Sequence, residues 1–262
     1  MATPSSLSRP PGADALERVQ SFLRGGLVKI AGSARPIEAG VVLSTPSLAA
    51  VWALNHLRVT APIGFEALVA LADEQLTGFD YRHIVVEDQQ SGPALEGRFA
   101  SAGWRVEREL LMVLASAPDR APDPGVVADA GEEEVLEVTA RWHAEGWSPS
   151  ADELAQLTEF GRREARAHGD RLLCVRSSDG RVVAISKLRS RERVAQIEDV
   201  YTVPEARGRG YARALVSRAA ELALDGGNGL IFIEADDNDW PKDLYARLGF
   251  RPLGRMWQFH RA

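Results

Sequence analysis

The chain has 262 residues, a net charge of −6 and a sequence pI near 5.5, with 45% apolar and 26% charged residues. That is the balance of an ordinary globular protein, long enough for two domains. The acidic balance excludes the basic footprint of a nucleic-acid-binding surface. The single Cys174 excludes an internal disulfide and a cysteine-rich metal site, and no apolar run approaches the ~18 residues of a membrane span.

Residues 1–19 contain Ser, Pro and Gly without the apolar core of a signal peptide, so they read as a flexible tail and a cytoplasmic location is expected. Residues 20–115 carry a patterned helix over 65–76 and an apolar strand over 84–87. Residues 116–124 hold Pro118, Pro122 and Pro124 in a short polar stretch, an extended linker. Beyond it the pattern predicts a short strand over 125–128 and a helix over 132–144 with Val135, Leu136, Val138, Thr139 and Trp142 turned inward. Ser150 and Glu153 form a capping box that opens a second helix through about His168. Strands over 171–176, where Cys174 reads as a buried thiol, and over 182–188 flank the turn signal Ser177, Ser178, Asp179, Gly180.

A third strand over 194–203 runs into a turn dense in Arg and Gly, residues 204–210, followed by a helix with Ala212, Leu215, Val216, Ala219, Leu222 and Ala223 on one face. A strand that feeds a helix through glycines leaves the first helical N–H groups unpaired, and with the helix dipole they form an anion seat. Gly208 and Gly210 let a ligand approach the backbone, and Arg207, Arg209 and Arg213 are cationic partners for phosphate. A P-loop is excluded because no Gly-Lys followed by Ser or Thr is present, and a dinucleotide fingerprint from Gly208 fails because Arg213 stands where the third glycine belongs. The run Leu230, Ile231, Phe232, Ile233 then predicts a strand buried on both faces. Asn238 precedes Tyr245 by seven residues and Tyr245 precedes Gly249 by four; Pro241 fits a first helical turn and Gly249 a left-handed helix end.

Arg207, Gly210 and Ala212, in the pattern R-x-x-G-x-A directly after V-x-P-E, together with Asn238, Tyr245, Gly249 and Phe250, resemble the two acetyl-CoA motifs of the GNAT superfamily of N-acetyltransferases. The resemblance covers roughly residues 125–262. It implies an α/β fold with a central mixed, mostly antiparallel sheet flanked by helices, acetyl-CoA as acyl donor, and a primary amine of a small molecule or protein as acceptor. Val200, Tyr201, Thr202 and Val203 are implied along the pantetheine. Arg207, Gly208, Arg209, Gly210, Tyr211 and Ala212 are implied at the pyrophosphate, and Asn238 at the pantetheine or acetyl region. No nucleic acid or membrane partner is expected.

An internal repeat extends the resemblance to the first half. Phe99 to Arg105 parallels Tyr245 to Arg251, with Gly103 at the place of Gly249, an offset of 146 residues. Residues 84–87 parallel 231–234 within one residue of that offset. The same offset puts Ala61 at Arg207 and Pro62 at Gly208 while keeping Gly64 at Gly210, and Phe99 lacks the hydroxyl of Tyr245. Residues 20–115 therefore read as a degenerate GNAT-like domain that has lost acetyl-CoA chemistry, and 125–262 as the catalytic one.

Acetyl transfer needs a neutral amine, and a lysine-like ammonium with pKa ~10.4 is rarely neutral at pH 7, so a general base is useful. Glu198, nine residues before Arg207, lies in the stretch Ile197, Glu198, Asp199, which resembles the polyamine acetyltransferases of this superfamily, where the corresponding Glu acts as base. Its neighbour Asp199, the second candidate on the acceptor side, points to the opposite face of a regular strand, unless a bulge intervenes. Tyr245 is the general acid that the resemblance implies. The loop around Trp142, Glu145 and Trp147 is expected beside the acceptor, where two indoles and a carboxylate suit a cation. The histidines, His56, His83, His143, His168 and His260, show no metal-ligand spacing and none is assigned. A tandem acyltransferase like the mycothiol synthases and a non-catalytic acyl-CoA-binding regulator are the alternatives.

Overall fold

The computed structural model describes residues 13–121, 124–146 and 149–262. Its centre is one 11-stranded sheet in the order β1-β2-β3-β4-β11-β5-β10-β9-β8-β7-β6. In chain order, helix α1 (Ala13–Ile30) precedes β1 (Ser33–Ile37), β2 (Gly40–Ser44), β3 (His56–Val59), α2 (Phe65–Gln75), β4 (Arg82–Val86), α3 (Ser91–Ser101) and β5 (Arg105–Leu114). The second half runs β6 (Val127–Asp129), α4 (Glu132–Gly146), α5 (Ala151–His168), β7 (Arg171–Arg176), β8 (Val182–Arg191), β9 (Val194–Thr202), α6 (Tyr211–Asp225), β10 (Leu230–Asp236), α7 (Pro241–Arg247) and β11 (Phe250–Arg261). Two pairings are parallel, β3 with β4 and β9 with β10; the others are antiparallel.

The elements of the two halves follow the expected offset. Helix α2 opens at Phe65 and α6 at Tyr211, 146 residues later, and the two parallel strand pairs stand at corresponding places. The halves do not keep separate sheets, however. Strand β5 of the first half pairs with β10 of the second, β11 of the second pairs with β4 of the first, and β5 and β11 pair with each other at the centre. The packing follows the exchange. Trp257 and Phe259 of β11 lie in the core of the first half, where Phe259 stacks on Phe99 at 4.0 Å, and Leu110 and Met112 of β5 lie in the core of the second. Each such fully buried side chain contributes about 1.5–3 kcal/mol relative to exposure.

The capping box is present in both directions: Ser150 Oγ accepts from the Glu153 N–H while Glu153 accepts from the Ser150 N–H, and the helix ends at left-handed Gly169. Helix α1 opens at Ala13, so residues 13–19, expected as part of a tail, are helical. Its Val19 and Phe22 pack on Phe232, Val113 and Val194, one face of the sheet. On the other face the apolar stripe of α6, Leu215, Ala219 and Ala223, covers Ala195, Ile197, Ile231 and Ile233. Cys174 is fully buried, and burial pushes its thiol pKa up.

Candidate active site

Strands β9 and β10 pair only from Val194 opposite Leu230 to Ile197 opposite Ile233. Beyond that register they diverge, leaving the edge of β9 from Glu198 to Thr202 without a strand partner on that side. β9 also carries a bulge, because Lys187 faces Glu198 whereas Ile185 faces Tyr201, one residue more on β9 than on β8. Asp199 takes up the extra residue with φ +52. The bulge overrides the alternation of a regular strand. Asp199 reaches Lys187 at 2.6 Å and Glu198 lies 3.3 Å from Arg189, and those two cations are two residues apart on β8, hence on one face. Glu164 of α5 joins both, at 3.4 Å from Lys187 and 3.0 Å from Arg189.

Glu198 Oε2, the atom that lies 3.3 Å from Arg189, is buried and makes no hydrogen bond. Burial, and then repulsion from Glu164, push its pKa well above the usual carboxylate range against the pull of Arg189. It opens into a cavity of about 440 Å³ on the α1 and α5 side of the sheet. Asp199 is committed to Lys187.

On the other side of the splay lies a cleft of about 860 Å³ lined by Arg120, Trp142, Tyr201, Arg207, Gly210 and Arg247 among others. Gly208 and Gly210 have φ +75 and +82, a conformation that L side chains rarely adopt, and a Cβ built on either meets nothing within 4 Å. Both glycines are therefore set by the turn, and the space beside them is open to a ligand. Ala214 is the first residue of α6 whose N–H reaches back, to Gly210 O at 3.0 Å, so the N–H groups before it face the cleft end of the helix. At the corresponding place in the first half Gly64 is extended, with φ −77, and no such turn forms. These features fit a diphosphate: a glycine cradle, a helix N-terminus and flanking guanidinium groups.

The other expected residues fall as follows. Val200, Tyr201, Thr202 and Ala212 line the cleft, and so does Tyr211; Val203 is buried and donates its N–H to Val183 O at 3.0 Å. Arg209 is exposed, and its guanidinium reaches Glu205 O at 3.4 Å. Arg213 is buried, tied to Asp119 at 2.6 Å, and lines the cleft together with it. Arg207 donates to Thr202 O and is gripped by both oxygens of Glu145 at 2.7 and 2.8 Å. Glu145 also accepts from the Tyr201 hydroxyl at 2.6 Å, and Trp142 stacks on Tyr201 with 5.3 Å between ring centroids. Trp142 and Glu145, expected beside the acceptor, thus stand at the phosphate turn; Trp147 lies outside the described residues. Asn238 is exposed, and its side-chain oxygen accepts from Arg108 of β5 at 2.6 Å. It does not line the cleft, whereas its neighbours Asp239 and Trp240 do. Tyr245 is 6% exposed in the core near Phe250, burial pushes its hydroxyl to about 12, and its helix neighbours Leu244 and Arg247 are the ones that line the cleft.

Sequence reasoning missed Glu234 and the histidines of the smaller cavity. Glu234, on β10 directly across from Glu198 one residue past the last pair, faces the same cavity. His56, His83 and His260 arrive from β3, β4 and β11, and only the strand order brings them together.

Residues 133–250 match the family model described as "Acetyltransferase (GNAT) family". This segment is a GNAT domain. Among solved structures, the fold of nearly the whole chain is similar to that of a functionally unknown conserved protein from Staphylococcus epidermidis (13% identity, 88% of this chain and 94% of that one, TM-score 0.65). It is also similar to a GCN5-related N-acetyltransferase from Kribbella flavida (19% identity, 96% of each chain, TM-score 0.58). A third likeness is to a GCN5-related N-acetyltransferase from Sphaerobacter thermophilus (19% identity, 74% of this chain and 66% of that one, TM-score 0.54). The GNAT domain is an acyl-transfer module, and the likeness in fold extends into the first half.

Proposed function

We propose that the chain is an acetyl-CoA-dependent N-acetyltransferase acting on a primary amine, with one active site, in the second half. The observation that carries this reading is the left-handed Gly208 and Gly210 turn, open to a ligand, at the N-terminus of α6 and beside the splay of β9 and β10. The pyrophosphate of the donor binds the N–H groups from Gly208 to Ala212 with Arg207 and Arg209 alongside. Its pantetheine pairs with the free edge of β9 as an added strand. An N–H near Val200 or Tyr201 polarises the thioester carbonyl.

The amine nitrogen attacks the acetyl carbonyl, forming the C–N bond as the C–S bond breaks. Glu198 takes the proton that the nitrogen loses, and its raised pKa makes it a stronger base than an ordinary carboxylate. Tyr245, held protonated by burial, supplies the proton of the departing thiolate. Residues 13–114 form a degenerate partner domain that has kept the scaffold and lost the phosphate turn, and the setting is the cytoplasm. Among the described residues no helix is long and apolar enough to cross a membrane.

Calorimetry with acetyl-CoA tests the donor site: Arg207→Glu and Gly210→Glu should each abolish measurable binding, and unchanged affinity overturns the assignment. Thiol release from acetyl-CoA across a panel of amines tests the activity. A second reading, a non-catalytic acyl-CoA-binding regulator, is favoured by the position of Tyr245 outside the cleft lining. Binding without thiol release for any amine decides for it, and turnover unchanged in Tyr245→Phe removes the tyrosine from the mechanism.

A further inference from the structure

The cavity of about 440 Å³ behind Glu198 has two chemically different ends. At the splay, Glu198 and Glu234 face each other from adjacent strands one residue beyond the Ile197 and Ile233 pair, with Gln196 beside them. Gln196 donates to Glu234 at 2.8 Å, but Gln196 Oε1 and Glu198 Oε2 are buried without a hydrogen-bond partner. Burial pushes Glu234 to about 7, and it also holds Glu198 well above the usual carboxylate range although Arg189 lies 3.3 Å from its Oε2. At the other end Trp52, His83 and His260 stack, with 4.4 Å between the two imidazoles and 5.1 Å from Trp52 to His260. His56 Nε2 and His260 Nδ1 are buried there and unpartnered, in side chains 1% and 8% exposed. Burial depresses His56 and His83, the latter to about 3, so both rings are neutral; His56 Nε2 is left for a ligand, whereas His83 is engaged at both nitrogens by Trp52 O and Gln258 Oε1.

The two guanidinium groups in the wall are already committed. Arg58 is paired with Glu87, and Arg189 with Asp170 at 2.7 Å, Glu164 at 3.0 Å and Glu198 at 3.3 Å. Glu107, the carboxylate at the imidazole end, accepts from His260 at 3.1 Å. An entering carboxylate would find acidic neighbours and no uncommitted cation among the described lining residues. The repeat supplies a control within the same molecule. Glu87 stands in the first half where Glu234 stands in the second, and there Arg24 and Arg58 both bind it. Among the described residues Glu234 makes no such ion pair, and its close polar partner is Gln196.

Resting on the acetyl-transfer reading, we propose that this cavity is the acceptor pocket and that the acceptor is a small amine without a carboxylate. Its ammonium is received between Glu198 and Glu234, and its uncharged polar or aromatic end lies against Trp52, His56, His83 and His260. The volume is that of a small-ligand pocket, about 300–1,000 Å³. Three of the four residues at the far end come from the first half, which gives the degenerate domain a direct part in choosing the substrate.

Calorimetry of the full chain with pairs that differ only in the carboxylate tests this: tyramine against tyrosine, and putrescine against ornithine. The decarboxylated member of at least one pair should bind at least tenfold more tightly. Glu234→Gln should weaken that binding tenfold or more while acetyl-CoA affinity stays within twofold. So should Gly26→Leu, which fills the cavity from α1, where a Cβ meets His168 at 3.7 Å and Arg189 at 4.0 Å, both ordinary contacts. Equal or tighter binding of both amino acids, absence of amine binding, or wild-type binding in Gly26→Leu overturns the proposal while a chain that still binds acetyl-CoA keeps its donor site. Failure to bind acetyl-CoA overturns the acetyl-transfer reading and this one with it.

Discussion

Glu145, at the end of α4, grips Arg207 of the phosphate turn through both carboxylate oxygens, at 2.7 and 2.8 Å. The same carboxylate accepts the Tyr201 hydroxyl, so one side chain ties the first helix of the GNAT domain to the donor cleft. A diphosphate arriving at the turn competes with Glu145 for Arg207. Both partners of this ion pair are well exposed, 49% and 36%, so water and salt screen it and the pair is weak. Glu145→Gln should therefore tighten acetyl-CoA binding, by up to about fivefold, in calorimetry at low salt. A weaker Kd would show that Glu145 orders the cleft rather than competing within it.

Glu198→Gln should lower kcat about 100-fold or more, the usual weight of a general base, with acetyl-CoA affinity unchanged. The base acts deprotonated and its pKa is raised, so wild-type kcat/KM should climb with pH above the usual carboxylate range. The variant should lose that limb, and a parallel pH profile in both proteins would remove Glu198 from the proton transfer.

Glu87 is held by Arg24 and Arg58, and both Glu87 and Arg58 are almost fully buried. Glu87→Ala leaves Arg58 without its carboxylate and should destabilise the fold by about 3–5 kcal/mol in urea unfolding, whereas Glu87→Leu combined with Arg58→Met should recover most of that loss. A single-variant cost below about 1 kcal/mol would mean that the pair is solvated.

Glu109, on β5, is pushed to about 8, first by burial and then by Glu234, Asp236 and Glu107. A raised carboxyl holds its proton in the folded chain and loses it in the unfolded one between about pH 4.5 and 8. The folded state binds more protons in that window, so its stability falls as pH rises through it. Glu109→Gln should raise the Tm at pH 8 by several degrees, at about 2–4 °C per kcal/mol for a chain of this size, and change it little at pH 4.5. An equal shift at both values would assign the effect to packing.

The glycine-turn side of the candidate site was legible in the sequence because it is local. The glycine turn, its arginines and the helix behind it are contiguous, and α2 and α6 begin 146 residues apart as the repeat requires. The proposed acceptor side was not, because His56, His83 and His260 are distant in the chain and meet only through β3, β4 and β11. Asp199 shows a different limit: one extra residue in β9 turned two carboxylates to the same face, and nothing in the alternation of residues 194–203 announces it. Strands β5 and β11 are counterparts in the repeat and carry similar patterns, so either satisfies the edge of β4 or of β10, and the pattern does not say which pairing forms.

That exchange constrains how the molecule is made. β11, the last strand in chain order, sits between two strands of the first half, and β5 waits for both β10 and β11. During synthesis from the N-terminus, β4 and β5 emerge long before the partners that cover their edges, and these open edges invite wrong pairing. The sheet closes only when the final strand leaves the ribosome. A chain interrupted before Phe250 loses its middle rather than its margin, so neither half is available as a free-standing module.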